Sequence, residues 1–216
     1  MHDDHGLSLL DWRRRVYAVY AAIRAVGNDG RALARAHAAW AAARDDLFAH
    51  HPQSPIAPER RGAFIGVPVA AYDPRWRFVA VLDTDVEPAR MDVPTGTDGI
   101  VPFERIGVAR LPDLGALDVW ALRSYGGGVF VPLHDATSGR TTYGGGRYLV
   151  DTAKGADLGS GVDPSTAAAT LVLDFNFAYH PSCAYDAAWA CPLAPPGNVL
   201  DLDVPVGEQL PPSGWY

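Results

Sequence analysis

The stretch L-D-V-W-A-L-R-S-Y-G-G-G-V-F-V-P-L-H (Leu117–His134) is the plainest strand–turn–strand pattern in the chain. Its two apolar runs, Leu117–Ser124 and Val129–His134, flank Gly126-Gly127-Gly128. Both runs are short, and glycine takes positive φ without steric cost, so the pair reads as two strands joined by a hairpin turn. Similar runs between turn signals lie at Trp76–Asp83, Ile100–Glu104, Gly107–Leu111, Arg147–Asp151, Thr170–Phe177 and Val199–Val204. Seven or eight short strands without interleaved helices predict an antiparallel β-sandwich or β-barrel. Residues 51–75 carry five prolines and read as a loop-rich connection, and Asp157–Ser165 reads as a surface loop.

The first fifty residues differ. They hold none of the 18 prolines and only three of the 22 glycines. Leu9, Trp12, Val16, Val19, Ile23 and Val26 recur at spacings of three and four, which is one apolar stripe of a helix. Leu33, Ala36, Trp40, Ala43 and Leu47 repeat the pattern. Between the stripes, Gly27 can end one helix in the left-handed conformation, and Asn28 or Asp29 can cap the next. Pro52 restricts His51 to extended conformations and closes the segment. The predicted class is therefore α+β, mainly β: a helical hairpin over residues 1–50, then a β-rich domain over 51–216.

Composition narrows the function. With 18 basic residues against 25 acidic ones the net charge is −7, so the basic footprint required by nucleic acid or an anionic membrane is lacking. The opening M-H-D-D-H-G-L-S-L-L is acidic where a signal peptide is basic, and no run approaches a membrane span. The cytoplasm is the expected location, with both cysteines as thiols.

Three segments could carry chemistry. In Thr170–Phe177, alternation places Leu171, Leu173, Phe175 and Phe177 on a core face and Thr170, Val172, Asp174 and Asn176 on the other. Taken alone that second face reads as a solvent-facing strand end. If covered, Asp174 and Asn176 need partners, because burying an unpaired carboxylate is costly. In His134–Leu149, Asp135, Thr137 and Ser138 are turn formers, and Gly144-Gly145-Gly146 precede Arg147. A glycine run before an arginine can present amides and a guanidinium to one anion. It can equally be a bend that leads into a strand, with Arg147 paired to an internal carboxylate. The third segment, Tyr179–Asn198, holds Cys183 and Cys191. Their spacing is not that of a zinc knuckle, and His180 would leave a fourth ligand to find, so a packed pair or a dithiol is favoured over metal. His180, Ser182 and an Asp could compose a hydrolase triad, but no G-x-S-x-G elbow supports one.

Four blocks resemble a known family. They are D-A-T-S-G-x-x-T-Y-G-G-G-R-Y-L (Asp135–Leu149), L-D-F-N-x-A-Y-x-P-x-C-A-Y (Leu173–Tyr185), W-x-C-P-L-A-P-P-x-N-x-L (Trp189–Leu200) and Gly207-Glu208. Together with S-P-I-A-P-E-R-R-G-A-F-I-G (Ser54–Gly66) they resemble the uncharacterised prokaryotic family known as Domain of Unknown Function 1684, from about His37 to Leu210. The family pattern has asparagine where this chain has His180. The resemblance names no reaction and no cofactor. It implies that Asp135, Arg147, Asp174, Asn176, Cys183 and Asn198 occupy specified positions and converge on one polar site.

Three functions fit these residues. The first is a pocket for a small polar or anionic ligand, formed by Asp135, Arg147, Asp174, Asn176 and Asn198 with aromatic walls from Tyr143, Tyr148 and Tyr179. The second is an enzyme, a hydrolase among the options, with Asp174 as acid or base. The third is a structural or interaction module whose polar motifs form an internal network.

Overall fold

The computed structural model describes residues 5–95 and 99–211. Helix α1 spans His5–Val26 and helix α2 spans Gly30–His50. The break between them follows local chemistry. Gly27 adopts φ +70°, and the Asp29 carboxylate accepts from the Ala32 amide at 2.8 Å. The His51 amide donates back to the Leu47 carbonyl at 3.0 Å and ends α2 just before Pro52.

Nine strands follow: β1 Arg77–Asp83, β2 Arg90–Thr95, β3 Gly99–Leu111, β4 Gly115–Leu122, β5 Val129–Asp135, β6 Arg147–Asp151, β7 Ser160–Val162, β8 Ala169–Asp174 and β9 Val199–Leu200. They form one sheet in the order β6-β5-β4-β3-β1-β8-β7, with β2 on β3 and β9 on β5. All pairings are antiparallel except β5 with β9. The Gly126–Gly128 turn joins β4 to β5 as expected, with the Leu122 amide donating to the Gly128 carbonyl at 2.9 Å.

The two runs Ile100–Glu104 and Gly107–Leu111 are halves of β3, which is irregular between Arg105 and Gly107. Its first half pairs with β2 and its second with β1 along the same edge. A bulge of this kind bends the strand and sharpens its twist. The sheet curls accordingly into a half-barrel. Inside the curl pack Leu117, Val119, Val131, Leu133, Leu173 and Phe175. The opposite face offers Phe103, Trp120, Phe130 and Tyr148 to Tyr20, Ile23, Leu33 and Trp40 of the helices.

Three segments fold differently from their local pattern. The strand expected over Thr170–Phe177 ends at Asp174, where the carboxylate accepts from the Asn176 amide and starts a 3-10 turn over Phe175–Phe177. That turn sends Phe175 into the curl and Phe177 toward the helices, and it buries Asp174 and Asn176 almost completely. Asp157–Ser165 contains the short exposed strand β7. Only Val199–Leu200 of Val199–Val204 pairs as a strand.

Candidate functional site

The polar residues read from the sequence fall into three separate hydrogen-bond networks. In the first, Gly146 turns the chain into β6 with φ +83°; a Cβ there would lie 2.3 Å from the Leu133 carbonyl oxygen. Arg147 follows, fully buried, and its Nη2 donates to Asp135 Oδ2 and to the Val204 carbonyl, both at 2.9 Å. Its Nη1 donates to the carbonyls of Val206 and Glu208. Asp135 Oδ1 accepts from the Thr137 amide and hydroxyl and from the Val204 amide. Burial works to raise the Asp135 pKa, but Arg147 and Thr137 outweigh it and hold the carboxyl below its ordinary value. Arg147 thus latches the 204–208 segment onto the sheet, as the bend-and-pair reading of its glycine run anticipates.

The second network joins Asp174 and Asn176. Asp174 Oδ1 accepts from the Asn176 amide and side chain, and Oδ2 from the Tyr72 hydroxyl at 3.2 Å and Arg77 at 3.4 Å. Asn176 exchanges two bonds with the Asp73 backbone, and its carbonyl accepts from His37 Nε2 at 2.8 Å. Desolvation raises the Asp174 pKa despite these donors. In the third network Asn198 brackets β4 and β5. Its Oδ1 accepts from Trp120 Nε1, and its Nδ2 donates to the carbonyls of Asp118 and Pro132. Asp135, Arg147, Asp174, Asn176, Cys183 and Asn198 therefore do not converge on one polar site: the first four and Asn198 are divided among three networks, and Cys183 lies apart from them against Cys191.

A cavity of about 180 Å³ opens elsewhere, between the helices and the 179–189 segment. Trp12 and Val16 of α1, Phe48 of α2 and Trp189 give it apolar walls, and Arg44, Lys154, Tyr179 and His180 contribute polar groups. Of the residues expected to bind ligand, Tyr179 lies on this wall. Tyr143 stands behind it, its amide donating to His180 Nε2 at 3.2 Å, and the Tyr148 hydroxyl donates to the Pro192 carbonyl at 2.6 Å.

Glu208 organises the cavity floor. This fully buried carboxylate accepts from Arg44 Nε at 2.5 Å, the His180 amide at 2.6 Å and the Tyr185 hydroxyl at 2.9 Å. Burial opposes the charge of Arg44, but Glu208 overrides it and holds the guanidinium protonated. The Arg44 guanidinium also lies over the rings of Trp40, Phe48 and Tyr179, at 5.5, 4.9 and 4.8 Å from their centroids. The Tyr179 hydroxyl and His180 Nδ1 are buried without a hydrogen-bond partner in the protein. Because His180 Nε2 accepts a bond, its neutral ring carries the proton on Nδ1. Burial raises the Tyr179 pKa well above its ordinary value; burial, then the charges of Arg147 and Arg44, lower that of His180. Both groups can therefore donate at neutral pH.

Neither Arg44 nor Glu208 is among the candidate site residues that the sequence suggests, although Glu208 lies in the Gly207-Glu208 block. Arg44 had one signal: it stands four residues after Trp40 and three before Leu47, on the apolar stripe of α2, where a charge needs a buried partner. Nothing in the spacing ties it to Glu208.

Two buried histidines make stability depend on pH. Burial lowers the pKa of His37, against the Asn176 carbonyl and Asp174, and lowers that of His180 further. The unfolded chain takes up a proton on each near pH 6.5, while the folded chain refuses it. Stability is expected to fall as pH drops from about 6.5 toward the depressed folded values, by up to about 1.4 kcal/mol per pH unit per histidine. At lower pH Asp174 works the other way, since its raised pKa lets the folded chain take up that proton first. Urea unfolding at graded pH measures the slope. His37→Gln, which keeps a donor to Asn176, should roughly halve it; an unchanged slope would contradict the assignment to His37.

Fold and site define a class: a half-barrel whose outer face is covered by a helical hairpin, with an amphipathic cavity at the seam. The chain belongs to the family described as Protein of unknown function (DUF1684), whose model matches residues 62–209. The match begins well after His37, the start expected from the resemblance, so both helices precede it. The chain is also similar to an uncharacterized protein of Haloarcula marismortui solved in solution by NMR. The two share 33% identity over 80% of this chain and 91% of the other, with a TM-score of 0.55. No curated protein matches the sequence. Among the described residues no helix is long and apolar enough to cross a membrane.

Proposed function

We propose that the protein binds a small carboxylate with an apolar body in the cavity beneath α1. The composition of the wall carries this reading. It contains Arg13, Arg44 and Lys154 and, among the described residues, no acid, in a chain of net charge −7. The carboxylates that balance two of these cations, Glu208 and Asp151, stand behind the wall rather than on it. Size supports a compact ligand. A cavity of about 150 Å³ accommodates benzene, so about 180 Å³ suits one aromatic ring with a carboxylate or a short aliphatic acid. Trp12, Phe48 and Trp189 would enclose the apolar body, while Tyr179, His180 and the cations would meet the oxygens. In this reading Asp135, Arg147, Asp174, Asn176 and Asn198 hold the surrounding loops in place, and Asp174 positions the Tyr72–Asn176 region rather than moving a proton.

Benzoate and hexanoate are expected to raise the melting temperature, with the matched amides inert. Ligand at 100 times its Kd stabilises by about 2.7 kcal/mol. Val16→Phe, which fills the cavity from α1, should abolish the shift without unfolding the protein. Lys154→Gln should weaken binding about tenfold, the value of one charge-assisted hydrogen bond. Equal shifts from acid and amide, or shifts that survive Val16→Phe, would sink the reading.

A further inference from the structure

Cys183 and Cys191 take no part in the Asp135, Asp174 and Asn198 networks or in the contacts of Glu208; Tyr143 bonds to the first and Tyr148 to the second. Both sulfurs are thiols and both residues are only partly buried. The chain between them folds back so that the Cys183 amide donates to Cys191 Sγ at 3.4 Å. The Ser182 amide points to the same sulfur, and Lys154, the sole lysine of the chain, adds its positive charge nearby. Two amides and an ammonium are the surroundings that stabilise a thiolate. A hydrogen bond between the two side chains comes first among the effects that push Cys191 down to about 6, and the same side-chain bond comes first among those that push Cys183 up. One sulfur is thus a nucleophile at neutral pH, and the other stands beside it still holding its proton.

We propose that Cys183 and Cys191 form a redox-active dithiol that undergoes exchange with small-molecule disulfides. The Cys191 thiolate attacks one sulfur of the disulfide RSSR; the S–S bond breaks, and RS⁻ leaves and takes a proton from water. Cys183 then gives up its proton to solvent and attacks Cys191 Sγ of the mixed disulfide, which expels the second RS⁻. The two cysteine thiols are oxidised to a disulfide and RSSR is reduced to two RSH, so no other reactant is required. The reverse sequence with RSH restores the dithiol. Tyr185 and Trp189, within the loop that the bond would close, and Ser182 beside it all stand on the cavity wall. Oxidation would therefore restrict how far that wall can move.

The full-length protein, equilibrated in buffers of graded reduced to oxidised glutathione, quenched with acid and alkylated, provides the test by mass spectrometry. The expected result is a species that has lost two hydrogens, takes up no alkyl group, carries no glutathione, and reverts under reduced glutathione. In Cys183→Ser, glutathione should remain attached to Cys191. In Cys191→Ser, the remaining thiol should react at least about tenfold more slowly at pH 7 than Cys191 does, because little of an ordinary thiol is ionised there. Lys154→Gln should move the pH midpoint of Cys191 alkylation upward. Absence of the internal disulfide at every glutathione ratio would overturn the proposal, as would equal reactivity of the two sulfurs. An unmoved midpoint in Lys154→Gln would overturn the part assigned to the lysine. None of these readouts depends on the cavity holding a carboxylate.

Discussion

Arg147→Met is expected to destabilise the fold by about 3–5 kcal/mol, a large share of the roughly 5–15 kcal/mol that holds a domain together. The change leaves Asp135 buried at 1% exposure with its charge uncompensated. It also removes the donors to the carbonyls of Val204, Val206 and Glu208, and so frees the segment that carries Glu208. Asp135→Leu alone should cost a similar amount, because it leaves the guanidinium unpaired. The double variant removes both charges, and a buried ion pair exchanged for apolar groups is often close to neutral. Arg147→Met/Asp135→Leu should therefore cost less than its two parts added, by about 1–3 kcal/mol. Urea unfolding of the four proteins measures the cycle. A loss below about 1 kcal/mol in Arg147→Met would show that the pair is not the latch its geometry describes.

Glu208→Leu should cost about 3–5 kcal/mol as well, but with a different local signature. The carboxylate ties α2, through Arg44, to the His180 amide and the Tyr185 hydroxyl. Its loss leaves the Arg44 charge, the amide and the hydroxyl without their acceptor at once. Hydrogen exchange should rise along α2 and the 180–185 segment before the sheet opens. In Arg147→Met the early exchange should instead center on residues 204–208. Glu208→Gln keeps one acceptor oxygen and the volume, so it should fall between Glu208→Leu and the native protein. If Glu208→Leu lowered stability with α2 protection unchanged, the helix would be held by its apolar stripe alone, and the role given to Arg44 and Glu208 would fail.

Much of the architecture is written locally. Gly27 and Asp29 mark the helix break, Gly126–Gly128 the β4–β5 hairpin and Arg147–Asp151 the strand β6 with the same bounds. Each is set by the dihedral freedom of one glycine, the reach of one short side chain, or a run of apolar residues. Alternation misleads over Thr170–Phe177 because Asp174 caps a 3-10 turn in the middle of a strand-like pattern. The strand β2, Arg90–Thr95, gave no comparable signal, with Pro94 inside it and every second residue exposed.

The candidate site was legible only in fragments. Tyr179 and the block that ends in Gly207-Glu208 stood out in the sequence. Asp174, Asn176 and Asn198 stood out as well, yet each turned inward to partners in its own network. The helix break, the β4–β5 hairpin and most of the strands follow from the amino-acid order alone, because they depend on residues a few positions apart. Which carboxylate meets which arginine, and where a cavity remains, is fixed only in the folded chain. Arg44 and Glu208 are 164 positions apart, and Arg147 reaches carbonyls 57 to 61 positions away. No periodicity records such a pairing; it exists only once the half-barrel has curled and the helices have closed over its face.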